Sequence, residues 1–595
     1  MGHHTTRTVY QYALLGLLFA VFGAFLIYPI GLTVRVGFAE DIAAKSGFTL
    51  EHVLGVFEDP VLREGLVNAF MIAIVTTALC IVVALPLAVL TAKYDFPLKK
   101  AWNALILVPL ILPPFVGAIG LKMIMGRYGA LNQILEFFVP VFDFLKFWGD
   151  PVTAETVRID WLGEAKFWGV VIALALHLYP IVYLNATAAL ANLDPALDEA
   201  AENLGVGPWK RFFRITLPLI RPGLFAGGTI VFIWSFTELG TPLMFDYYAT
   251  TPVQIFNGIK EVGTNAEPYA LTVVMLVASI LLYLLGKTVF GGKGHAMYSK
   301  AARASEEVRL GRAGSLFATG LFAVVTLLAL LPHIGVVFSS FSVDGAWYRS
   351  VFPSEWTTEH YGDALGHPLA FGSIVNSLKY ASLAVVFNIF LGIIIGYLIV
   401  RTKIRGRGVL DALSMLPLAV PGLVMAFGYV ALSISWPFGA GDPLQGVVDI
   451  VGSDPDPLVL LVIAYAIRRM PYVVRSTVAG LEQTSGELEE AARNLGASTV
   501  TAVRRIIIPL ITANLIAGGL LAFSFSMLEV SDSLILAQRS GDYPITKAIY
   551  TFAERLGDGH SIASAMGVWG MALLTVTLVG ASLLLGKKLG AIFRV

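Results

Sequence analysis

Glu199-Ala200-Ala201-Glu202-Asn203-Leu204-Gly205 and Glu490-Ala491-Ala492-Arg493-Asn494-Leu495-Gly496 are two copies of one segment, 291 residues apart (490 − 199). The same offset runs without a gap through Pro180 and Pro471, Pro218 and Pro509, Gly227-Gly228 and Gly518-Gly519, and Glu238 and Glu529. Upstream it becomes 308 (417 − 109), which pairs Asn68 with Asn376 and Pro113 with Pro421. The 17-residue difference (308 − 291) is an insertion in the first copy, somewhere within 127–164. The chain is a tandem duplication.

Of its 595 residues, 56% are hydrophobic and only 14% charged, against about 25% charged in a soluble domain. Most of the surface therefore does not face water. Apolar runs at 12–30, 70–90 and 316–331 are about as long as a bilayer core is thick. Proline and glycine inside such runs, Pro86 and Gly392 for instance, are tolerated in bundled membrane helices. Scanning predicts an all-α polytopic membrane protein of about twelve spans. Six lie near 10–36, 66–92, 101–126, 165–190, 219–243 and 269–290; six more lie near 314–340, 373–400, 409–436, 458–481, 510–537 and 563–586. The formal net charge is zero, so bulk charge points to no nucleic-acid partner. The single cysteine, Cys80, sits in an apolar run and excludes an intramolecular disulfide or thiolate cluster.

Basic residues fall on one side of this path: Lys93, Lys99 and Lys100; Lys210, Arg211, Arg214 and Arg221; Arg401, Lys403, Arg405 and Arg407; Lys587, Lys588 and Arg594. The positive-inside rule makes that side cytoplasmic, with both termini inside and 37–65, 127–164 and 341–372 outside. Trp347, Tyr348 and Trp356 then suit the membrane interface or a docking surface. The start is basic at Arg7 and lacks a small-residue cleavage site, so it reads as a retained span. The expected division is a first domain at 1–290, a cytoplasmic linker at 291–313 and a second domain at 314–595.

The repeated segment reads as a helix–turn–helix at the basic side. Asp194-Pro195 supplies an N-cap and a proline at the first helical position. In the second copy Ser485 takes that place, and Thr484 with Glu487 offers a capping box. Leu197, Ala201 and Leu204, or Leu488, Ala492 and Leu495, form one apolar stripe. Gly205 and Gly496 suit a left-handed helix end. An amphipathic hairpin lying on the membrane fits the same pattern, but its recurrence at corresponding loops favours a protein-docking element.

Spelled out, the first copy is Glu-Ala-Ala, three residues, Gly, nine residues, then Ile215-Thr216-Leu217-Pro218. This resembles the signature loop of type I ATP-binding-cassette (ABC) importer permeases; the second copy departs only at Ile508, where the family pattern has Leu. The resemblance covers nearly the whole chain as two permease domains of the MetI-like kind. It implies that loops 194–218 and 485–509 dock into grooves on ATPase subunits. Glu199, Ala200, Ala201 and Gly205, with Glu490, Ala491, Ala492 and Gly496, are then the coupling residues. It further implies two ABC ATPase subunits on the cytoplasmic side, an extracytoplasmic substrate-binding protein, and a bacterial inner-membrane location in contact with lipid.

A phosphate-cradling loop needs two glycines flanking four residues, then Lys-Ser/Thr. Gly286-Lys287-Thr288 comes nearest, but Leu281 occupies the first glycine position. The chain is thus expected not to be an enzyme, with no cofactor and no metal ligand set of its own. Candidates for a substrate path are ionisable residues within spans. Glu238 lies about 20 residues beyond Pro218, roughly 30 Å along a helix and near the outer face. Glu529 and Asp532 sit at similar depth. Three acids at one mouth attract a cation; alternatively they merely sit at the interface or cap helix ends. His177 and Arg468, at aligned positions with Arg469 beside the latter, either line the path, which suits an anion, or bond carbonyls freed by Pro180 and Pro471. Lys122 and Lys379 are expected to snorkel outward. A single-chain duplication of this length resembles ferric-iron importer permeases, with thiamine, polyamine and aminoalkylphosphonate importers as alternatives. An ion-gradient-driven secondary transporter also has two parallel halves but no doubled docking loop.

Overall fold

The computed structural model describes residues 2–42, 45–144, 153–163, 166–290, 308–555 and 557–585. Most of the expected linker, 291–307, and the basic tail with Lys587, Lys588 and Arg594 lie outside the described residues.

The duplication is visible element by element. Helix Pro60–Lys93 recurs as Pro368–Arg401, both of 34 residues. Each starts with a side-chain cap followed by proline: Asp59 Oδ1 accepts from the Val61 and Leu62 N–H groups, and His367 Nδ1 accepts from that of Leu369. Helix Phe167–Ala191 recurs as Leu458–Glu482, each of 25 residues. The π-helical turn Phe212–Thr216 recurs as Val503–Ile507, and helix Leu217–Phe236 as Ile508–Met527. Asn68 Nδ2 donates to the Ala249 carbonyl at 2.8 Å, as Asn376 Nδ2 does to that of Gly541 at 2.8 Å. In the segment that holds the insertion, 127–164, the first half carries the short helices Ala130–Phe137, Val139–Phe144 and Ala154–Val157.

Among the described residues nine helices are long and apolar enough to cross a membrane, and two bent pairs bring the number to 11. Leu458–Glu482 matches the remaining expected span in place; Arg468, Arg469 and Arg475 make it less apolar than the others. Four expected spans are not the straight helices the sequence predicts. Those at 101–126 and 409–436 are broken, with bends of 98° and 102°. Pro113-Pro114 and Pro421 stand at the breaks, where proline supplies no N–H and holds its predecessor out of the helical region. Those at 219–243 and 510–537 stop at Phe236 and Met527 and resume at Gly240 and Ser531.

The first span of each half packs on the other half. Arg312–Phe341 lies against Pro114–Met125, where Gly120 and Gly335 bring the two backbones together. Reciprocally, Tyr28–Gly37 lies against Gly422–Ser433; Gly428 faces Pro29, and Tyr429 Oη donates to the Phe25 carbonyl at 2.8 Å. At the basic end Tyr94-Asp95 pairs in parallel with Val308-Arg309, pinning the re-entering chain to the first half.

Candidate functional sites: paired loops and a polar cavity

Both loop helices form as the sequence predicts at their C-terminal ends. Helix Pro195–Asn203 is capped by Asp194, whose Oδ1 accepts from the Ala196 N–H at 3.0 Å. At its end Gly205 takes φ +73°. The Gly205 N–H donates to the Glu202 carbonyl at 2.8 Å and the Val206 N–H to that of Ala201 at 3.0 Å, the two bonds of a Schellman motif. Helix Glu487–Asn494 repeats this with Gly496 at φ +90°, Gly496 N–H on Arg493 O and Ala497 N–H on Ala492 O. Nothing lies within 4 Å of a Cβ built at either glycine, so backbone handedness rather than space requires them.

The second loop starts differently from the expected capping box. Thr484 Oγ1 donates to the Leu481 carbonyl and accepts from Arg401, leaving Ser485 Oγ to accept from the Glu487 N–H at 3.2 Å. Arg401 Nη2 also takes the carbonyls of Leu481 and Thr484 at 2.9 and 2.7 Å. Tyr397 Oη donates to the buried Glu489 at 2.7 Å. The second loop is thereby tied to helix Pro368–Arg401. In the first loop Glu202 pairs forward with Arg211 at 2.7 Å.

Glu199, Ala200, Gly205, Glu490, Ala491 and Gly496 are exposed, Ala492 is half-buried, and Ala201 turns inward. At the far end of each stripe Leu204 is 82% and Leu495 90% exposed. Two leucines so placed form matching apolar knobs at the basic end. The first loop adds Trp209, stacked on Phe213 with ring centroids 6.3 Å apart; both are exposed. Spacing flagged the stripe, but only the fold shows which of its members stay uncovered.

Between the halves lies a cavity of about 180 Å³. His177, Glu238, Arg468 and Glu529 line it, together with Pro113 and Pro421 from the broken spans. Asp532 is fully buried behind that wall. Of the two readings of the three acids, a cation-attracting mouth and helix-end groups, the geometry shows two acids in ion pairs and one bonded across a helix break. Arg468 Nη1 bonds Glu529 Oε1 at 2.6 Å and Asp532 Oδ2 at 3.3 Å, and Arg469 pairs with the other oxygen of Glu529. In so dry a place an unpaired charge is costly, and Glu529 and Asp532 are matched by cations. Glu238 instead accepts from the Thr241 N–H and hydroxyl at 3.1 and 2.9 Å, across the break after Phe236. His177 Nδ1 bonds the Pro109 carbonyl at 2.8 Å, not one freed by Pro180. A Cβ at Gly422 would collide with the Arg468 guanidinium, so glycine there makes room for the arginine. Lys122 does not simply snorkel; it pairs with Asp246 at 3.1 Å. The contribution of Trp234, Tyr472 and Phe525 to the cavity had no sequence signal beyond ordinary apolar character.

A duplicated helical membrane bundle with paired loops at one end and a polar cavity between its halves has the build of a permease. The family model described as binding-protein-dependent transport system inner membrane component matches residues 84–292 and 388–589. The chain belongs to that family and is a multi-pass inner-membrane protein built of two tandem permease domains.

The chain is 25% identical over 571 residues to the ferric transport system permease protein FbpB of Actinobacillus pleuropneumoniae, covering 93% of this chain and 75% of that protein. It is 24% identical to the Fe(3+)-transport system permease protein FbpB 2 of Haemophilus influenzae, covering 95% and 97%. The molybdenum transport system permease protein ModB of Escherichia coli is 26% identical over 232 residues, 37% of this chain and 91% of that protein. Among solved structures, a chain of a bacterial ABC transporter that imports alginate is similar over 49% of this chain and 97% of its own, at 16% identity and a TM-score of 0.37.

Proposed function

We propose that the chain is the membrane permease of an ATP-driven importer for ferric iron, with ATP hydrolysis supplied by separate subunits. The carrying observation is the pair of glycine-capped helices that present Leu204 and Leu495 at one end of the molecule. One cassette ATPase subunit grips each knob from the cytoplasm, where both chain termini also lie. Closure of the cassettes on ATP draws the loops together and opens the opposite end to a substrate-binding protein. Glu199, Ala200, Ala201 and Gly205, with Glu490, Ala491, Ala492 and Gly496, carry the coupling; the exposed members meet the cassette and Ala201 seats the helix. The cargo passes between the halves along His177, Glu238, Arg468 and Glu529. The names of the full-length relatives support iron as the cargo.

The test is uptake into proteoliposomes holding the complete importer. Proline cannot adopt the positive φ of Gly205 and Gly496, so Gly205→Pro with Gly496→Pro should abolish ATP-driven ferric-iron uptake while the protein stays in the membrane. Full uptake by that double variant would refute the coupling assignment. Wild-type uptake of thiamine, a polyamine or a phosphonate in place of iron would refute the cargo.

A further inference from the structure

At the end opposite the paired loops a second cavity, of about 490 Å³, opens between the halves. The first half lines it with Lys122, Asp246 and Tyr248, the second with Tyr550, Glu554 and His560. Each half brings a phenol hydrogen-bonded to a carboxylate. Tyr248 Oη donates to Asp246 Oδ1 at 3.4 Å, and Tyr550 Oη donates to Glu554 Oε1. Asp246 also holds Lys122 at 3.1 Å and Lys166 at 2.9 Å, so its charge is already matched. Glu554 is exposed to the opening, while Tyr550 is largely buried behind it.

We propose that this outer cavity is a holding station for a hard, oxygen-seeking metal cation, with the Tyr550 and Tyr248 oxygens as ligands. The proposal rests on the ferric reading above and extends it to named residues. Small, highly charged cations prefer anionic oxygen donors. When the metal binds, the Tyr550 O–H bond breaks and a metal–oxygen bond forms, and the proton passes to the Glu554 carboxylate already bonded to it. The exposed Tyr248 loses its proton to water at the cavity mouth as its own metal–oxygen bond forms, because Asp246 is held by two lysines. No three His, Cys, Asp or Glu side chains among the described residues converge as they would around a resident metal. That sparse donor set suits cargo, because a transported ion has to be bound weakly enough to leave. The width of the cavity leaves the rest of the coordination shell to water or a small chelator. Because the two phenols belong to opposite halves, any movement that parts the halves removes a ligand and favours release.

Titration of the purified full-length chain in detergent with ferric nitrilotriacetate tests this through the visible phenolate-to-iron charge-transfer band. The wild type should give a saturable band. Tyr550→Phe should lose at least half of it, Tyr248→Phe with Tyr550→Phe all of it, and Glu554→Gln should weaken apparent affinity about tenfold. Phenylalanine keeps the ring packing, and an unchanged gel-filtration profile identifies folded variants. No band in the wild type, or an undiminished band in the folded double variant, overturns the station. Uptake of iron by the complete wild-type importer without any band removes the station and leaves the ferric reading standing. A band with no ATP-driven iron uptake removes both.

Discussion

At the point where the fifth span of each half breaks, the two copies share a backbone and differ in charge. The second half places Arg468, Arg469, Glu529 and Asp532 there, joined by three ion pairs. At the same offset the first half has His177, Leu178, Glu238 and Thr241, joined only through Glu238 and Thr241 and anchored by His177 on Pro109. The break is thus held by backbone sequence rather than by the ionic cluster, since it survives without it. The cluster is something the second copy adds, and Gly422 in place of Pro114 gives it room. The cavity between the halves thus has hydrogen-bonding groups on one wall and matched charges on the other.

The largest effect that tests this contrast comes from Glu529→Gln. It strands Arg469 and half-strands Arg468 in a buried site, and should destabilise the folded chain by about 3–5 kcal/mol, read as a lower unfolding temperature in detergent. A loss as small as that at Glu238 would erase the contrast. Next, Tyr397→Phe removes a hydrogen bond to a buried carboxylate and should cost about 2 kcal/mol. Hydrogen exchange at 487–494 should quicken while 195–203 is unchanged, because the first copy has Val89 at that offset and no such tether. Glu238→Gln keeps an acceptor for Thr241 and should cost about 1 kcal/mol or less. Gly205→Ala and Gly496→Ala probe what the copies share: each puts a Cβ on a left-handed residue and should cost about 1 kcal/mol. Equal losses at the two glycines would show that the loops diverge in their tethers and not in their turns.

Much of this was legible in the sequence. The unbroken offsets from Pro180 to Glu238, and from Asn68 to Pro113, fixed which helices correspond, and Gly205 and Gly496 marked their turns. Hydropathy located the spans, because burial in lipid selects composition directly. It could not show the breaks at Pro113 and Pro421, since a proline in a membrane run is as often absorbed as it is disruptive, as Pro86 is within Pro60–Lys93. Nor could it pair Arg468 with Glu529. They lie 61 residues apart, and only the return of the chain after the loop brings them together. Counting acids without that geometry leaves open whether they make a negative mouth or serve as partners within the fold.

The exchange of first spans has a consequence for how the molecule is made. Arg312–Phe341 enters the bilayer when its partner, Pro114–Met125, has already been synthesised. The N-terminal span is less fortunate: Gly422–Ser433, the surface it covers, emerges only after most of the second half's early helices. Until then the helix through Phe25 and Pro29 is covered on one side only, by Glu267–Phe290 of its own half, and a copy of the first half released on its own would leave the other side open to lipid. Joining both copies in one polypeptide ensures that each newborn first half meets its own completing piece rather than a stranger's.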